Sequence, residues 1–302
     1  MIVVIGSINM DLVLRVPRMP LPGETLTGGA FRTIPGGKGA NQAVACARLS
    51  GKVAGAQQVA MVGCVGDDAF GATLRAALVG DGIIDSHVTT LPGVASGIAS
   101  ILVDDQGQNS IVIAGGANDL LSPAHIDAAR ALIEQADIVV LQLETPMATV
   151  VHAIQLARSL GKTVVLNPAP AASLPEGVLE LVDYLIPNEI EAAMLAGVSP
   201  EGADAKALAA ALQKLGSDNV IITLGSKGVH AALYGGDFTF PAEAVQAVDT
   251  TAAGDTFIGG FVAGLASGMD EAEAIQQGQR AAAWSVTKPG AQTSIPHLHE
   301  LF

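Results

Sequence analysis

Residues 122–143, SPAHIDAARALIEQADIVVLQL, place a helical pattern directly before a short apolar run. The segment opens with Ser122, which suits a helix N-cap, and continues with a proline at the first helical position. The run DIVVLQL that begins at Asp137 has the length and apolar content of a strand. The stretch therefore predicts one helix followed by one strand, the repeating step of a βαβ architecture.

The same alternation continues along the chain and determines the fold class. Further apolar runs begin at Thr163, Tyr184 and Val220, and helical patterns separate them, while the N-terminal residues MIVVIGS give one more strand pattern. These segments predict a doubly wound α/β fold, with a mostly parallel central sheet and helices on both faces. No repeat, charge block or low-complexity linker divides the chain, so residues 1–302 are predicted to form a single α/β domain.

Two segments depart from this alternation. Residues 12–35 and 88–114 contain β-branched residues, glycines, prolines and polar alternation without a helical period. Such patterns predict short strands, which we expect to be antiparallel additions to the main sheet that form a small second layer. Because strands beside glycine-rich joints can cover a site and move, this layer is predicted to be a small β-sheet lid.

Charge and composition exclude several classes of partner. The chain has 15 basic and 29 acidic residues, and its net charge of −14 repels nucleic acid and acidic membranes at long range. Cys46 and Cys64 lie among small apolar residues and predict buried thiols in a reducing compartment. The first residues predict a strand rather than a signal peptide, and no apolar run is long enough for a bilayer. We therefore expect a cytoplasmic protein.

Common nucleotide motifs are absent. LGKT, which begins at Leu160, fails the pattern of a phosphate-binding loop because position 156, where that loop needs a glycine, is a leucine. GGKG, which begins at Gly36, fails it because Gly39 stands where the loop needs a serine or threonine hydroxyl. No strand precedes the spaced glycines of a dinucleotide fingerprint, and no histidine pair has a metal-binding spacing. The dehydrogenase and histidine-metal interpretations therefore lose support.

The motif GSINMD, residues 6–11, follows the first strand. Ligands bind beyond the carboxyl ends of strands in open α/β sheets, so Asn9 and Asp11 could present an amide and a carboxylate to a hydroxylated ligand. An Asx turn that leaves the strand would explain the same residues. In an extended segment, Asn9 and Asp11 face one way and Met10 faces the other.

The motif PGGKGANQ, residues 35–42, precedes an alanine-rich helical pattern. Adjacent glycines let a backbone approach a polyhydroxylated ligand closely, and Lys38 and Asn41 add hydrogen-bond donors beside it. A plain helix-start turn explains one glycine but not three around a lysine. The motif therefore favours a binding role.

The motif DTTAAGDTF, residues 249–257, places small residues and a carboxylate at a helix start. Ala252, Ala253 and Gly254 precede the helical run TFIGGFVAGL, whose first N–H groups are electropositive and can stabilise an anion. Asp255 stands beside the place for that anion. It either acts on the ligand or complements the helix dipole as a first-turn acid, and this stretch alone leaves both interpretations open.

Together, the motifs GGKGANQA and DTTAAGDTF, with NEIE at residues 188–191, resemble the ribokinase family of sugar and nucleoside kinases. The resemblance covers essentially the whole chain, and GSINMD and LNPAP (residues 166–170) bring it nearest to the ribose-phosphorylating members. It implies a ribokinase-like fold with a β lid, and an ATP-dependent kinase that transfers the γ-phosphate to the 5-hydroxyl of D-ribose. Mg²⁺, a monovalent cation (K⁺) and a homodimer formed through the lid are also implied.

The resemblance assigns roles to individual residues. Asp255 would be the general base, and the N–H groups before it would form an anion hole at Ala252, Ala253 and Gly254. The sugar ligands would be Asn9, Asp11, Gly37, Lys38, Asn41, Glu144 and Asp255. The ATP ligands would be Asn188, Thr223, Gly225, Ser226, Gly228, Gly254 and Gln279. Glu191 would act on Mg²⁺ through water, and the K⁺ ligands would be Asp249, Thr251, Ser285, Lys288, Gly290 and Ser294.

Met10 is the clearest departure from the family pattern, which has a small residue at that position. In the core it would only pack, whereas facing the sugar it would crowd a hydroxyl and favour 2-deoxyribose. A kinase for deoxyribose, another furanose or a nucleoside therefore stays open, although an aromatic content of 3% counts against a base-stacking pocket. A non-catalytic sugar sensor is the third interpretation, against which Asp255, the anion hole and the Asn188 and Glu191 pair argue.

Overall fold

A computed structural model describes residues 1–50 and 58–302 of the chain. In chain order, its strands are β1 (Ile2–Ile5), β2 (Asn9–Arg15), β3 (Phe31–Gly36), β4 (Val59–Gly66), β5 (Ile84–Leu91), β6 (Gly97–Val103), β7 (Asn109–Ala114), β8 (Ile138–Leu141), β9 (Thr163–Leu166), β10 (Tyr184–Leu185), β11 (Asn219–Thr223), β12 (Val229–Leu233) and β13 (Gly236–Phe240). Its α-helices are α1 (Lys38–Leu49), α2 (Ala69–Gly80), α3 (Pro123–Ala128), α4 (Arg130–Gln135), α5 (Met147–Ser159), α6 (Glu189–Leu195), α7 (Ala205–Lys214), α8 (Ala253–Ala266) and α9 (Glu271–Ser285).

The large sheet has nine strands in the order β13-β12-β11-β10-β9-β8-β1-β4-β5. Neighbours from β11 to β5 run parallel, whereas β12 and β13 pair antiparallel at one edge. The chain starts in the middle with β1 and builds the sheet outward on both sides. The four apolar runs predicted as strands after residue 122 form β8 to β11. The predicted fold class is confirmed.

Helices cover both faces of this sheet because its strands are apolar on both sides. In β1, Ile2 and Val4 point into a core that includes residues of α1, α2, α8 and α9. Val3 and Ile5 point into a second core, with residues of α3 to α7. All four side chains are buried, so the centre of the sheet is closed to water on both sides.

Glycines allow α8 to pack closely against its two helical neighbours. A Cβ at Gly259 would lie 2.2 Å from the Cβ of Ala45 in α1, and a Cβ at Gly260 would lie 2.8 Å from the Cα of Gly278 in α9. Neither added carbon could be accommodated without a shift of the helices, because interiors are already close-packed. These small residues bring α1 and α8 together, and the candidate active site lies where the two helices begin.

The small sheet has four strands, in the order β3-β2-β6-β7, and it corrects the prediction in two respects. The strands form a sheet of their own, in which β2 pairs parallel with β6, rather than antiparallel additions to the main sheet. The sheet begins at Asn9 instead of residue 12, and residues 88–91 belong to β5 of the main sheet. Strand β5 is the edge strand of that sheet, and its partly solvated side chains give the polar alternation that the sequence analysis assigns to a lid.

Residues 123–135 form two short helices where one was predicted. Ser122 caps α3 through a reciprocal pair of hydrogen bonds with His125, and Pro123 begins the helix as predicted. The chain leaves helical geometry at the buried Ala129 (φ −88°, ψ 2°) and resumes as α4. Alanine has the highest helix propensity, so the sequence carries no signal for this break.

Two predictions from composition can be compared with the structure. Cys46 and Cys64 are buried and unpaired, as predicted, and burial raises the pKa of Cys46 to about 12 and that of Cys64 to about 11. Thiols with such pKa values stay protonated and are poor nucleophiles at neutral pH. Over residues 1–50 and 58–302, no helix combines the length and the apolar content needed to cross a membrane.

Candidate active site

Strand β2 leaves the end of β1 with Asn9 and Asp11 on one side and Met10 on the other. Met10 is 1% exposed and packs in the apolar core among aliphatic side chains. The interpretation of Met10 as a core residue is confirmed. A direct contact between Met10 and a sugar, which would alter the choice of pentose, loses its structural basis.

Asn9 is held by Asn118, a residue that the sequence analysis did not single out. Asn118 lies in a 3-10 helix, Gly116–Leu120, and its Nδ2 donates to the Oδ1 of Asn9 at 2.7 Å. Asn118 is itself fixed by the backbone of Ile8, whose N–H it accepts and to whose carbonyl it donates. The Oδ1 of Asn9 is therefore occupied, and its Nδ2 is the donor left for a ligand.

The glycine-rich turn at the start of α1 packs directly against the segment that joins β1 to β2. Gly37 has a φ of 89°, and a Cβ there would lie 2.7 Å from the backbone N of Asn9. A Cβ at Gly39 would lie 2.6 Å from the backbone N of Ser7. These glycines therefore have a structural reason, contact between two backbone segments, which differs from the close ligand approach that the sequence suggested.

Glu144 follows strand β8 and reaches this same turn. Its Oε2 accepts a hydrogen bond from Ser7 Oγ at 2.5 Å and another from the backbone N of Lys38 at 3.1 Å. These two bonds attach the carboxylate to the GSINMD segment and to the glycine-rich turn. The structure therefore brings Glu144 together with residues that lie more than a hundred positions earlier.

Asp255 lies in the first turn of α8 and is buried. Its carboxylate accepts hydrogen bonds from Asn41 Nδ2 at 3.0 Å and from Gln42 Nε2 at 2.9 Å, two neighbours at the start of α1. Within the described part of the chain, no side chain caps the N-terminus of α8. The carboxylate therefore bonds to a neighbouring helix rather than to its own, which weakens the interpretation of Asp255 as a first-turn stabiliser.

Burial and mutual repulsion change the protonation of the clustered charged groups. Burial, followed by repulsion from Glu144 and Asp255, raises the pKa of Asp11 to about 7. Burial also raises the pKa of Asp255, against the attraction of Lys38 and the hydrogen bonds from α1. Burial lowers the pKa of Lys38, but attraction to Asp255 and Glu144 outweighs it, so the pKa is raised overall. Carboxyl groups perturbed in this way are candidates for proton transfer.

An open cleft of about 210 Å³ lies at the start of α8. Its lining residues are Lys38, Asn167, Ala169, Ile186, Asn188, Glu191, Thr223, Thr250, Ala252, Ala253, Gly254, Asp255 and Ile258. Because α8 begins at Ala253, Ala253 and Gly254 lie inside the first turn rather than before it. A Cβ at Gly254 would have no atom within 4 Å, so the cleft is open there. Ala252 has a φ of 59° and is the one described non-glycine residue with a positive φ. Backbone strain of this kind is typical of ligand sites.

Asn188 and Glu191 form a reciprocal pair at the start of α6. The Oδ1 of Asn188 accepts from the backbone N of Glu191, and the Oε2 of Glu191 accepts from the backbone N of Asn188, both at 2.8 Å. The spacing that resembles the family motif is therefore also a capping box, which stabilises α6 without any ligand. Both residues line the cleft as well, and Oε1 of Glu191 takes no part in the cap.

The residues predicted to bind ATP divide into two groups. Thr223 lines the cleft together with Asn188 and Gly254. The others lie outside its lining, and they are Gly225, Ser226, Gly228 and Gln279. Gln279 donates to two carbonyls of the chain's own backbone, at 3.1 and 3.3 Å. A site for the whole nucleotide would therefore extend beyond this cleft, over the turn between β11 and β12.

The residues predicted to bind K⁺ are brought together only in part. Asp249 accepts from the N and Oγ1 of Thr251 and from the backbone N of Gly290, which joins the loop before α8 to the turn after α9. The side chains of three others make contacts elsewhere, and they are Ser285, Lys288 and Ser294. Over residues 1–50 and 58–302, no three His, Cys, Asp or Glu side chains are placed to hold a metal ion. A cation here would need oxygen ligands other than a cluster of carboxylates, such as backbone carbonyls or hydroxyl groups.

A buried amide network behind Asp255 was missed by the sequence analysis. Gln42 lies in a quoted motif without an assigned role, and in the structure it contacts Asp255, Asn167 and Gln142. Gln142 directly follows β8 and Asn167 directly follows β9. An amide placed immediately after an apolar strand, at the edge where ligands bind, is a signal that could have revealed both residues.

The comparisons with known proteins agree with one another. A model of pfkB family carbohydrate kinases matches residues 1–298. Ribokinase of Haemophilus influenzae is 46% identical over 298 residues, 98% of this chain and 95% of that protein. Deoxyribokinase of Salmonella typhimurium is 40% identical over 301 residues, 99% of this chain and 96% of that protein. The structure of Arabidopsis thaliana ribokinase complexed with ribose and ATP is similar with a TM-score of 0.88 and 32% identity, covering 99% of this chain and 96% of that one. This chain belongs to the pfkB family of carbohydrate kinases.

Proposed function

We propose that this chain is an ATP-dependent kinase that transfers the γ-phosphate of ATP to the 5-hydroxyl of D-ribose, giving D-ribose 5-phosphate. The observation that carries the proposal is the setting of Asp255, a buried carboxylate held by two amides of α1 and lining the cleft at the start of α8. Family membership and the similarity to ribokinases support both the reaction and the sugar.

Asp255 is the general base of the proposed reaction. Its carboxylate takes the proton of the sugar hydroxyl while that oxygen bonds to the γ-phosphorus, and the bond from this phosphorus to the leaving oxygen of ADP breaks. A positioned base typically contributes a factor of ~10²–10⁴ to the rate. The raised pKa of Asp255 makes it a stronger base than a solvated aspartate, while the α1 amides and Lys38 favour its ionised form.

The first turn of α8 is the proposed anion hole. Ala252, Ala253 and Gly254 line the cleft beside Asp255, and the N–H groups of a first helical turn are electropositive. Each preorganised donor of this kind typically contributes a factor of ~10²–10³. Lys38, which lines the same cleft, adds a positive charge that offsets the repulsion between Asp255 and phosphate.

The sugar hydroxyls are proposed to bind between β2 and the start of α1. The proposed ligands are Asn9, Asp11, Gly37, Lys38, Asn41, Glu144 and Asp255. In the described part of the chain, the buried Oδ1 of Asn41 has no hydrogen-bond partner. A buried acceptor without a partner is costly, and a ligand hydroxyl would satisfy it. Asn9 would add a donor, and Asp11 and Glu144 would add acceptors.

The nucleotide is proposed to extend from the cleft over the turn that follows β11. The proposed ATP ligands are Asn188, Thr223, Gly225, Ser226, Gly228, Gly254 and Gln279. The cleft also suits Mg²⁺, since Glu191 keeps one oxygen outside its capping box and Mg²⁺ usually retains several of its waters. Mg²⁺ would neutralise charge on the β- and γ-phosphates when bound.

A monovalent cation, K⁺, is proposed to bind between the loop before α8 and the turn after α9. The proposed ligands are Asp249, Thr251, Ser285, Lys288, Gly290 and Ser294. Both carboxylate oxygens of Asp249 already accept hydrogen bonds from the chain, so several of these residues would contribute backbone carbonyls. Stimulation of turnover by K⁺, compared with Na⁺ at equal ionic strength, tests this site.

A homodimer through the small sheet is also proposed. Strand β7 lies at the edge of that sheet, and its Ile111, Val112 and Ile113 are exposed. An open apolar edge gains hydrogen bonds and buried area from a second copy. Light scattering should show a dimer for the wild type and a monomer for Val112→Lys, and an unchanged mass would contradict the interface. The cytoplasmic location stays a prediction from the sequence.

A kinase for 2-deoxyribose is the second candidate, and the similarity to a deoxyribokinase favours it. One coupled assay of ADP formation separates the candidates, with ribose, 2-deoxyribose, hexoses and nucleosides compared in the presence and absence of K⁺. The highest kcat/KM is expected with ribose. The highest value with 2-deoxyribose would replace the first candidate by the second. No ADP formation with any sugar would refute the kinase and favour a sugar sensor.

A further inference from the structure

Two buried glutamines connect Asp255 to the carboxyl ends of the central strands. Gln42 Nε2 donates to Asp255 Oδ1 at 2.9 Å and to Asn167 Oδ1 at 3.2 Å. Gln142 Nε2 in turn donates to Gln42 Oε1 at 2.6 Å. Gln42 and Gln142 are 0% and 1% exposed, and neither belongs to the proposed sugar or ATP ligands.

The hydrogen bonds of this network are consistent with one orientation of each amide. A backbone carbonyl only accepts, so Asn167 must turn its Nδ2 to the carbonyl of Ile186, which it meets at 2.8 Å. The Oδ1 of Asn167 then faces Gln42, so Gln42 must donate to it from its Nε2. The carboxylate of Asp255 requires the same orientation of Gln42 from the other side. The Oε1 of Gln42 is left to accept from Gln142.

Gln142 completes this arrangement with an unsatisfied atom of its own. Its Oε1 is buried and has no hydrogen-bond partner among the described residues. A Cβ at Gly6 would lie 2.0 Å from that oxygen, so a glycine makes room for the amide. An apolar side chain at position 142 would avoid the unsatisfied oxygen. The amide of Gln142 is therefore explained by the hydrogen bond that its Nε2 donates to the Oε1 of Gln42.

We infer that Gln42 is a positioning residue for the candidate base, and that Gln142 acts through Gln42 by locking its N–H donor toward Asp255. The inference rests on the proposed function of Asp255. The donor stabilises the ionised carboxylate and restrains its rotation, which favours a single geometry for proton transfer. Without Gln142, the Gln42 amide could rotate and present its oxygen to the carboxylate.

The other charged groups around Asp255 do not belong to the network. Lys38 favours the ionised carboxylate, whereas Glu144, Asp11 and Glu191 oppose it by repulsion. Substitutions at Gln42 and Gln142 leave these four charges in place. A change in the acid limb of the kcat profile against pH would therefore report the amide donors.

The test compares kcat and sugar KM across pH in wild type, Gln42→Met, Gln142→Met and the double variant. Loss of a hydrogen bond to an ionised group should move the acid limb upward by about one to two pH units in each single variant. Sugar KM should change little, and the double variant should move the limb no further than Gln42→Met alone. Gln277→Met is the matched control, because it removes a buried amide that donates to the Gly260 carbonyl and not to Asp255.

The outcomes separate the parts of the inference. An acid limb that moves in Gln42→Met but not in Gln142→Met overturns the role of Gln142, and a limb unmoved in both overturns the whole inference. Should Gln142→Met fail to fold, Gln42→Glu keeps the side-chain shape and replaces the donor by an acceptor, so an unmoved limb in that variant is equally decisive. Failure of the proposed function looks different, since Asp255→Asn would then retain near-normal turnover.

Discussion

The two sides of the cleft are built differently. On the base side, Asn41, Gln42 and Asp255 are buried and bond to one another across two helices. On the nucleotide side, Asn188 and Glu191 bond to the backbone of their own helix start, and the turn after β11 lies open. The base side is held in place by its own hydrogen bonds and leaves the Oδ1 of Asn41 for a ligand, whereas the polar groups that the structure describes on the nucleotide side are not bonded to one another across the cleft.

This difference predicts which kinetic constant each side controls. Preorganised groups act on the transition state, because no reorganisation is needed when charge develops. Changes on the base side should therefore lower kcat. Groups that reach their binding positions only when the ligand is present contribute mainly to its binding. Changes on the nucleotide side should therefore raise KM for ATP or the Mg²⁺ concentration that turnover requires.

The largest expected effect is that of Asp255→Asn. The amide keeps the shape of the side chain but cannot take the hydroxyl proton, so kcat should fall by ~10²–10⁴-fold. Ribose binding, measured by calorimetry, should stay within a few-fold of wild type and serves as the control for folding. Turnover close to wild type would refute the base and restore Asp255 as a first-turn stabiliser of α8.

Glu191→Gln tests the nucleotide side with the helix cap preserved. Glutamine can still accept from the backbone N of Asn188, so the melting temperature should change little, while the loss of charge should weaken apparent Mg²⁺ affinity by about 10–100-fold. Glu273→Gln is the matched control, since Glu273 closes the same kind of capping box with Asp270 in α9. Equal Mg²⁺ titrations for both variants would remove Glu191 from the metal site.

Asp11→Asn tests the proposed sugar site, which lies next to the base side and should control ribose KM, through its dependence on pH. Burial raises the pKa of Asp11 to about 7. Protonation below that pH removes a hydrogen-bond acceptor for the sugar, so ribose KM should rise about tenfold for each unit by which the pH falls below 7. Asparagine should flatten this dependence. The free energy of unfolding should change with pH in the opposite direction. Because the pKa of Asp11 is raised in the folded protein, its contribution to stability is greatest below its ordinary pKa of 3.8 and is lost as the pH rises through about 7. Thermal melts across this window should show a steeper decline for wild type than for Asp11→Asn.

Much of the fold follows from local patterns in the sequence. The apolar runs after residue 122 predict β8 to β11 because a strand in a parallel sheet is buried on both faces and needs no distant partner to be recognised. Residues 88–91, the end of β5, are predicted as part of the lid because an edge strand and a lid strand share polar alternation. Which sheet such a strand joins depends on pairing with β4, and local pattern does not encode pairing.

The candidate site shows the same limit at the level of side chains. Asp255 and Asn41 could be proposed from short motifs, since each motif keeps its polar residues within a few positions. The position of Gln142 directly after β8 could have marked it as a site residue, but its partner Gln42 lies 100 positions away and could not be identified. Asn118 follows no such strand, and its partner Asn9 lies 109 positions away. The glycines at the start of α1 were recognised, but the reason for them is a backbone contact with residues 6–9, after β1, that only the folded chain reveals.

The smallest expected effect on catalysis is that of Met10, which lies on the core face of β2. Met10→Leu conserves volume and should cost less than about 1.5 kcal/mol of stability, whereas Met10→Ala should cost about 2–5 kcal/mol. In both, the ratio of kcat/KM for ribose to that for 2-deoxyribose should stay at the wild-type value, because the side chain points away from Asn9 and Asp11. Met61, equally buried in the same core, provides the control through Met61→Leu. A ratio that changes only in the Met10 variants would mean that core packing beneath β2 shifts Asn9 and Asp11 enough to select the sugar. The choice of sugar would then depend on the core as well as on the residues that contact the ligand.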